Sequence, residues 1–170
     1  MSYKWIGAIL IVGSCGGFGI SLAVHQKNEE KLLCQLRAIL DEMLWELPFR
    51  LTPLPELVRH GAVGRKGILP EVLLELAEQL DRQVLPDALS CMNAAIQDPV
   101  PSFPRLHHLL LQLGHSLGRF DLSGQLSELT ALREQCDEEI KELRLGRSDR
   151  LKSYRVLGLC AGAALVILLI

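Results

Sequence analysis

Both ends of the chain are apolar. Trp5 to Val24 is twenty residues without a charged side chain, and Val156 to Ile170 is uncharged to the last residue. As helices rising ~1.5 Å per residue, the two segments measure about 30 Å and about 22 Å, against a bilayer hydrocarbon core of roughly 30 Å. The first is long enough to cross. The second crosses if Tyr154 and Arg155 lie at the headgroups and snorkel. The pattern is that of a polar domain held to a membrane at both ends: a span over residues 1–24, a domain over 25–155 and a span over 156–170. Ser21-Leu22-Ala23 could instead be a signal-peptidase site, and Val12-Gly13-Ser14-Cys15 loosely matches a lipoprotein box. Against both readings, Lys4 is the sole basic side chain before the apolar run, and that run is long for a signal and continues well past Cys15.

Orientation follows from the basic residues beside the spans. Lys27 and Lys31 follow the first, and Lys141, Arg144, Arg147, Arg150, Lys152 and Arg155 precede the second, whereas Lys4 alone lies outside. The positive-inside rule then puts the middle domain in the cytoplasm and both termini across the membrane. Tyr3, Trp5 and Tyr154 fit interfacial anchors.

The middle is long enough for one core. A net charge of −2 gives nucleic acid no electrostatic hold. Trp45, Phe49, Phe103 and Phe120 are not interleaved with a basic patch as stacking platforms are, so nucleic acid is not an expected partner. The five cysteines are an odd number without C-x-x-C spacing, which suggests neither a disulfide framework nor a zinc site. Cys34 and Cys136 read as small apolar residues on helix faces.

Apolar periodicity is helical throughout, leucine-dominated, with no alternating β-branched run. The expected fold is all-α, a bundle of about six helices flanked by the two transmembrane helices. Leu32, Leu36, Ile39, Leu40, Met43 and Leu47 form one face of a helix that leaves the membrane and stops at Pro48. Thr52-Pro53 reads as N-cap and first-turn proline of a short helix through about His60. Gly61, Gly64 and Gly67 read as a loop around Arg65 and Lys66, and Pro70 opens a helix with Val72, Leu73, Leu76 and Leu80 on one face. Pro86 sits in the first turn of another, running to about Gln97, and Asp98-Pro99-Val100-Pro101 is a break. Ser102 and Pro104 restart a helix that ends near Arg119. Leu122, Leu126, Leu129, Cys136, Ile140 and Leu143 line the last, with Leu132 standing in where Arg133 breaks the heptad. The two long helices enter the bilayer from the same side, so they are expected to pack antiparallel.

Candidate chemistry is thin. His107, His108 and His115 are the best metal ligands, because His108 and His115 share a helical face, but no carboxylate stands at i+3 or i+4 and H-E-x-x-H is absent. The Gly61-to-Gly67 loop lacks the spacing and preceding strand of a phosphate cradle. Ser90 and Ser123 have no histidine and carboxylate at motif spacing. In the spans, Gly13, Gly17 and Ser21 are four apart, as are Gly158 and Gly162. Such small-residue ridges let helix backbones approach closely in lipid.

Three strings stand in order between the spans: Gln35-Leu36-Arg37, then Thr52-Pro53-Leu54-Pro55-Glu56-Leu57, then Leu113-Gly114-x-x-Leu117-Gly118-x-x-Asp121-x-x-x-Gln125. In order and in distance from the spans they resemble the stage III sporulation protein AB family of endospore-forming bacteria, over essentially the whole chain. The chain departs from that pattern at Phe49-Arg50-Leu51, where the family usually shows a tyrosine-glycine or similar pair, and at Leu113, where it shows phenylalanine. The resemblance implies a non-enzymatic component, without cofactor or small-molecule substrate, of the sporulation channel between mother cell and forespore. It implies a place in the mother-cell membrane around the forespore, with other channel subunits as partners. It also implies a likeness to the helical F domains of type II secretion platform proteins, and by analogy coupling of a cytoplasmic secretion-type ATPase to the channel. Within the motif, Gly118 suits a helix end and Asp121 a new N-cap, residues that fix a bend. The competing reading is a membrane-bound sensor or metal-dependent enzyme with a site at His107, His108 and His115.

Overall fold

Leucine at three- and four-residue spacing makes helices, and prolines and glycines punctuate them. The computed structural model describes the backbone of residues 2–50, 52–83, 85–96, 100–117 and 121–169, and their side chains except at 2–23, 50 and 146–169. Among the described residues there are six α-helices and no strand: α1 (Ser2–Arg50), α2 (Leu54–Ala62), α3 (Ile68–Arg82), α4 (Ala88–Ala95), α5 (Pro104–Ser116) and α6 (Leu122–Leu169). A 3-10 turn, Val100–Ser102, precedes α5. The chain divides into two compact units, one of Met1–Gln26 with Ile140–Ile170, the other Lys27–Glu139.

Among the described residues no helix is long and apolar enough to cross a membrane. The side chains of both apolar ends, including Gly13, Gly17, Ser21, Gly158 and Gly162, lie outside the described residues. In that unit Ile140 and Leu143 are buried, and Val24 and Leu145 are exposed.

The Lys27–Glu139 unit has one apolar core. From α1 it takes Leu32, Leu33, Leu36, Ile39, Leu40, Met43 and Leu47, every residue of the expected face and Leu33 besides. Burying a side chain of this size stabilises the fold by roughly 1.5–3 kcal/mol, so this one face supplies a large share of the driving force. Helices α2, α3, α4 and α5 pack each on the next. In α6, Leu129, Leu132 and Cys136 are buried. Leu132 does take the place that Arg133 cannot fill. The seam starts later than its heptad suggests, since Leu122 is exposed and Leu126 half-buried.

Several boundaries differ from the sequence reading. Helix α1 runs through Pro48 to Arg50, because a proline in the last turn forfeits one backbone hydrogen bond without stopping a helix already formed. Thr52 does not cap α2. Pro53 is its N-cap, with ψ 142°, and Leu57 N–H donates to Pro53 O at 3.0 Å. The residue before a proline is driven out of the helical region, which leaves Thr52 Oγ1 free to donate to Glu46 Oε1 at 3.1 Å. Gly61 lies inside α2, buried against Ile39 and Met43, so the turn begins later, at Val63. Gly67 caps α3 with φ 116°, a conformation open to glycine and rarely to other residues, and Pro70 falls within the first turn rather than opening it. Leu80 is half-buried, and Leu69 and Ala77 complete the core face instead. Asp87, not Pro86, heads α4, which ends at Ala95. Helix α5 ends at Ser116, short of Arg119.

Candidate functional site

Within the Lys27–Glu139 unit the α1 and α6 segments run antiparallel, because the partners of Leu33 and Arg37, at 136 and 137, lie C-terminal in α6 to that of Asp41, at 133. Cys136 Sγ donates to Leu33 O at 3.3 Å, Arg37 Nε lies 2.8 Å from Asp137 Oδ1, and Arg133 Nε donates to Asp41 Oδ1 at 2.8 Å. Arg37 also approaches Asp41 at 4.0 Å, and Arg133 approaches Asp137 at 3.4 Å. The four groups form a closed ring of alternating charge. Arg37 Nε–H is not aligned as a hydrogen bond, so that contact is an ion pair only. The side chains keep 23–47% of their exposure, where screened pairs stabilise little. What alternating charge does well is penalise any other register of the two helices, since a slip of one turn sets like charges opposite.

Beneath the ring, burial pushes the Cys136 thiol up to about 12, helped by the nearby Asp137 carboxylate and then by Cys34. Burial, then Asp87, also raises Cys91. Both thiols stay protonated near neutral pH, so neither is a nucleophile or a thiolate ligand. Asp41 beside Arg133 holds that guanidinium more firmly protonated still.

A second polar junction joins three helices. Phe103, at the head of α5, offers no side-chain cap. Glu29 of α1, 5% exposed, fills the role from a distance: its Oε1 accepts from Arg105 N–H at 3.2 Å. A carboxylate at a helix N-terminus meets unsatisfied N–H groups and the positive end of the helix dipole. The Arg105 guanidinium in turn donates to Glu139 of α6. A third junction centres on Glu46, 6% exposed, whose Oε1 accepts from Thr52 Oγ1 and lies 2.9 Å from His60 Nδ1. It ties the end of α1 to α2.

The motif residues fall at structural joints. Leu36 is fully buried, Gln35 is half-buried and Arg37 belongs to the charge ring. Pro53 and Leu54 start α2. Gly114 is buried where α5 crosses α4, and a β-carbon there would stand 2.7 Å from Met92 Cβ. Leu117 is buried, and its N–H donates to Leu113 O at 3.1 Å. Gly118 lies outside the described residues. Asp121 precedes α6: its Oδ1 accepts from Gly124 N–H at 3.1 Å and its Oδ2 from Ser123 Oγ at 2.6 Å. The Ser123 hydroxyl first, and then that N–H, hold the Asp121 carboxyl below its usual range. Its contribution to stability is therefore present above the ordinary carboxylate pKa and is lost as pH falls through the depressed value. Gln125 N–H donates to Asp121 O at 2.8 Å. These residues set bends and close approaches, and they do not converge on one pocket.

The histidines do not converge either. His108 and His115 are exposed on α5, His107 is half-buried, and His108 Nε2 lies 3.2 Å from the amide nitrogen of Gln112. Seven residues along a helix is about 10 Å, far beyond the separation of two ligands each bound at roughly 2.1 Å to one zinc. Among the described residues no three metal-ligating side chains cluster.

Sequence reasoning missed Glu29, Glu46 and Arg105, whose partners come from elsewhere in the fold. It also missed an exposed aromatic pair on α1: Trp45 is 65% and Phe49 76% exposed, with ring centroids 5.8 Å apart. Their i, i+4 spacing was the available signal, since it sets both rings on one helix face, off the leucine stripe.

Comparison with known proteins draws these features together. The family model for stage III sporulation protein AB matches residues 4–170. Among solved structures, one described as "Stage III sporulation protein AB (SpoIIIAB)" superposes with a TM-score of 0.57 at 17% identity, covering 69% of this chain and 94% of the other. At that identity the likeness speaks for the fold. No curated protein sequence matches the chain.

Proposed function

This chain belongs to the stage III sporulation protein AB family, and from that premise we propose that it is a non-enzymatic membrane adaptor of the channel joining mother cell and forespore. It is anchored in the mother-cell membrane by its two apolar ends. The Lys27–Glu139 unit faces the cytoplasm and couples a secretion-type ATPase to the other channel subunits. The observation that carries this reading is the family match over nearly the whole chain, apolar ends included. Support comes from the basic residues on the inner flank of each apolar segment, and from a helical unit whose motif residues fix helix ends and crossings. An adaptor needs a unit of defined shape more than it needs a reactive group. The buried thiols with raised pKa and the separated histidines offer little chemistry to set against it.

The test is co-purification. Full-length tagged protein, solubilised gently from sporulating cells, is expected to bring down a secretion-type ATPase along with channel subunits. Leu36→Ala, which disrupts the core of the helical unit, should cut ATPase recovery at least fivefold. Recovery of channel subunits without any ATPase would refute the coupling and leave a purely structural role.

A further inference from the structure

Three aromatic side chains are described in the Lys27–Glu139 unit, and the core uses one of them, Phe103 at 7% exposure. Trp45 and Phe49 instead stand in solvent, stacked on each other at a tilt of 39°. Large aromatics left outside a leucine core cost solubility, and Trp is the residue most enriched where binding energy concentrates. Val63, 67% exposed, stands in the turn that follows α2. That turn is fastened beside the pair, because Arg65 donates to Glu42 Oε2 at 2.9 Å, one helical turn before Trp45.

We propose that the Trp45–Phe49 face of α1, with Val63 at its edge, is the docking site for an amphipathic helix of a partner protein. That helix brings apolar anchors one turn apart and a carboxylate that meets Lys66. Two observations select this occupant. The exposed parts of the three side chains amount to roughly 400 Å², about half of the ~800 Å² per partner that a stable dimer of domains buries, and the right scale for the apolar stripe of one helix. Charge supplies the second. The acidic residues along this stretch of α1 are already engaged, Asp41 by Arg133, Glu42 by Arg65 and Glu46 by His60. Lys66 is exposed and has no ion-pair partner among the described residues. On the turn that carries Val63 and Lys66, the charge left for a partner to answer is therefore positive. The indole N–H of Trp45 adds a second donor at the rim.

This surface deepens the adaptor reading and rests on it only in requiring a protein partner. The test uses the full-length chain in sporulating cells with p-benzoylphenylalanine in place of Val63, which leaves both rings intact. Irradiation is expected to give one heterologous adduct. Its crosslinked peptide, sequenced by mass spectrometry, should carry two apolar residues three or four apart next to an acidic one. Trp45→Ala should lower the yield at least tenfold and Lys66→Glu at least fivefold, with circular dichroism of the purified variants unchanged. An adduct of twice the chain's own mass would assign the face to a second copy and overturn the proposal. So would a lipid adduct alone, no adduct, or a yield indifferent to Trp45→Ala. An adduct of the expected kind to a protein other than an ATPase would uphold the surface and count against ATPase coupling by this face.

Discussion

Leu36→Ala is expected to lower the stability of the Lys27–Glu139 unit by about 3 kcal/mol, within the 2–5 kcal/mol typical of buried leucine truncations. The side chain is fully buried, as are Leu33, Ile39 and Leu40 on the same helix. Neighbours held on one rigid helix cannot collapse into the space that a truncated Leu36 leaves, so the cavity cost adds to the lost transfer free energy. The adjacent motif residue gives the contrast. Gln35 is half-buried, and Gln35→Ala should stay within about 0.5 kcal/mol. Thermal melting of the full-length protein in detergent, followed by circular dichroism, would show Leu36→Ala melting roughly 6–12 °C lower. Equal effects of the two variants would contradict the assignment of Leu36 as the core residue of its string.

Gly114→Val is the second large effect, a loss of about 3 kcal/mol. At this crossing a β-carbon meets Met92 Cβ at 2.7 Å, Met92 Cγ at 3.2 Å and the Leu89 Cα at 3.3 Å. Two of those three atoms are at or next to the backbone of α4, so a rotamer change gives no relief and the helices themselves must separate. Overpacking of this kind costs about 1–3 kcal/mol before the extra valine methyls are counted. It outweighs the ~1 kcal/mol that replacing a helical glycine with alanine would otherwise return, so Gly114→Ala is also expected to destabilise. Gly61 makes the useful comparison. A β-carbon there meets the Ile39 Cγ2 methyl at 2.8 Å and the Met43 terminal methyl at 3.4 Å, both side-chain atoms farther from the backbone, so Gly61→Ala should cost less than Gly114→Ala. The reverse order, measured by the same melting experiment, would mean that α4 and α5 cross less tightly than described.

What could be read from the sequence was what is local. The α1 core face was legible because six of its seven buried residues, all but Leu33, were picked out by helical spacing, and the all-helical class followed from the same periodicity. The head of α6 was legible from Asp121 because an N-cap works within three residues. Long-range polar junctions were not. Glu29 caps a helix 76 positions away, and Arg133 reaches Asp41 across 92. Nothing in the strings around Glu29 or Asp41 marks them apart from the other charged residues of these helices. Thr52 was misread for a related reason. A threonine before a proline looks like a cap, yet the partner it finds is Glu46, brought near by the return of the chain after α1. The aromatic pair was not legible as a surface, because helical spacing sets Trp45 and Phe49 off the leucine stripe without saying whether another helix covers them.

The central claim is that the helical unit faces the cytoplasm, where an ATPase could engage it. Ala94 is exposed on α4, so Ala94→Cys adds a reactive thiol with little disturbance. A parent chain with Cys15, Cys34 and Cys160 replaced by alanine serves as blank, because the two cysteines it keeps, Cys91 and Cys136, are buried and protonated. Treatment of intact cells with a membrane-impermeant maleimide should leave Ala94→Cys unlabelled above the parent, with full labelling once the cells are permeabilised. Labelling in intact cells would turn the unit to the other side of the membrane and contradict the adaptor account.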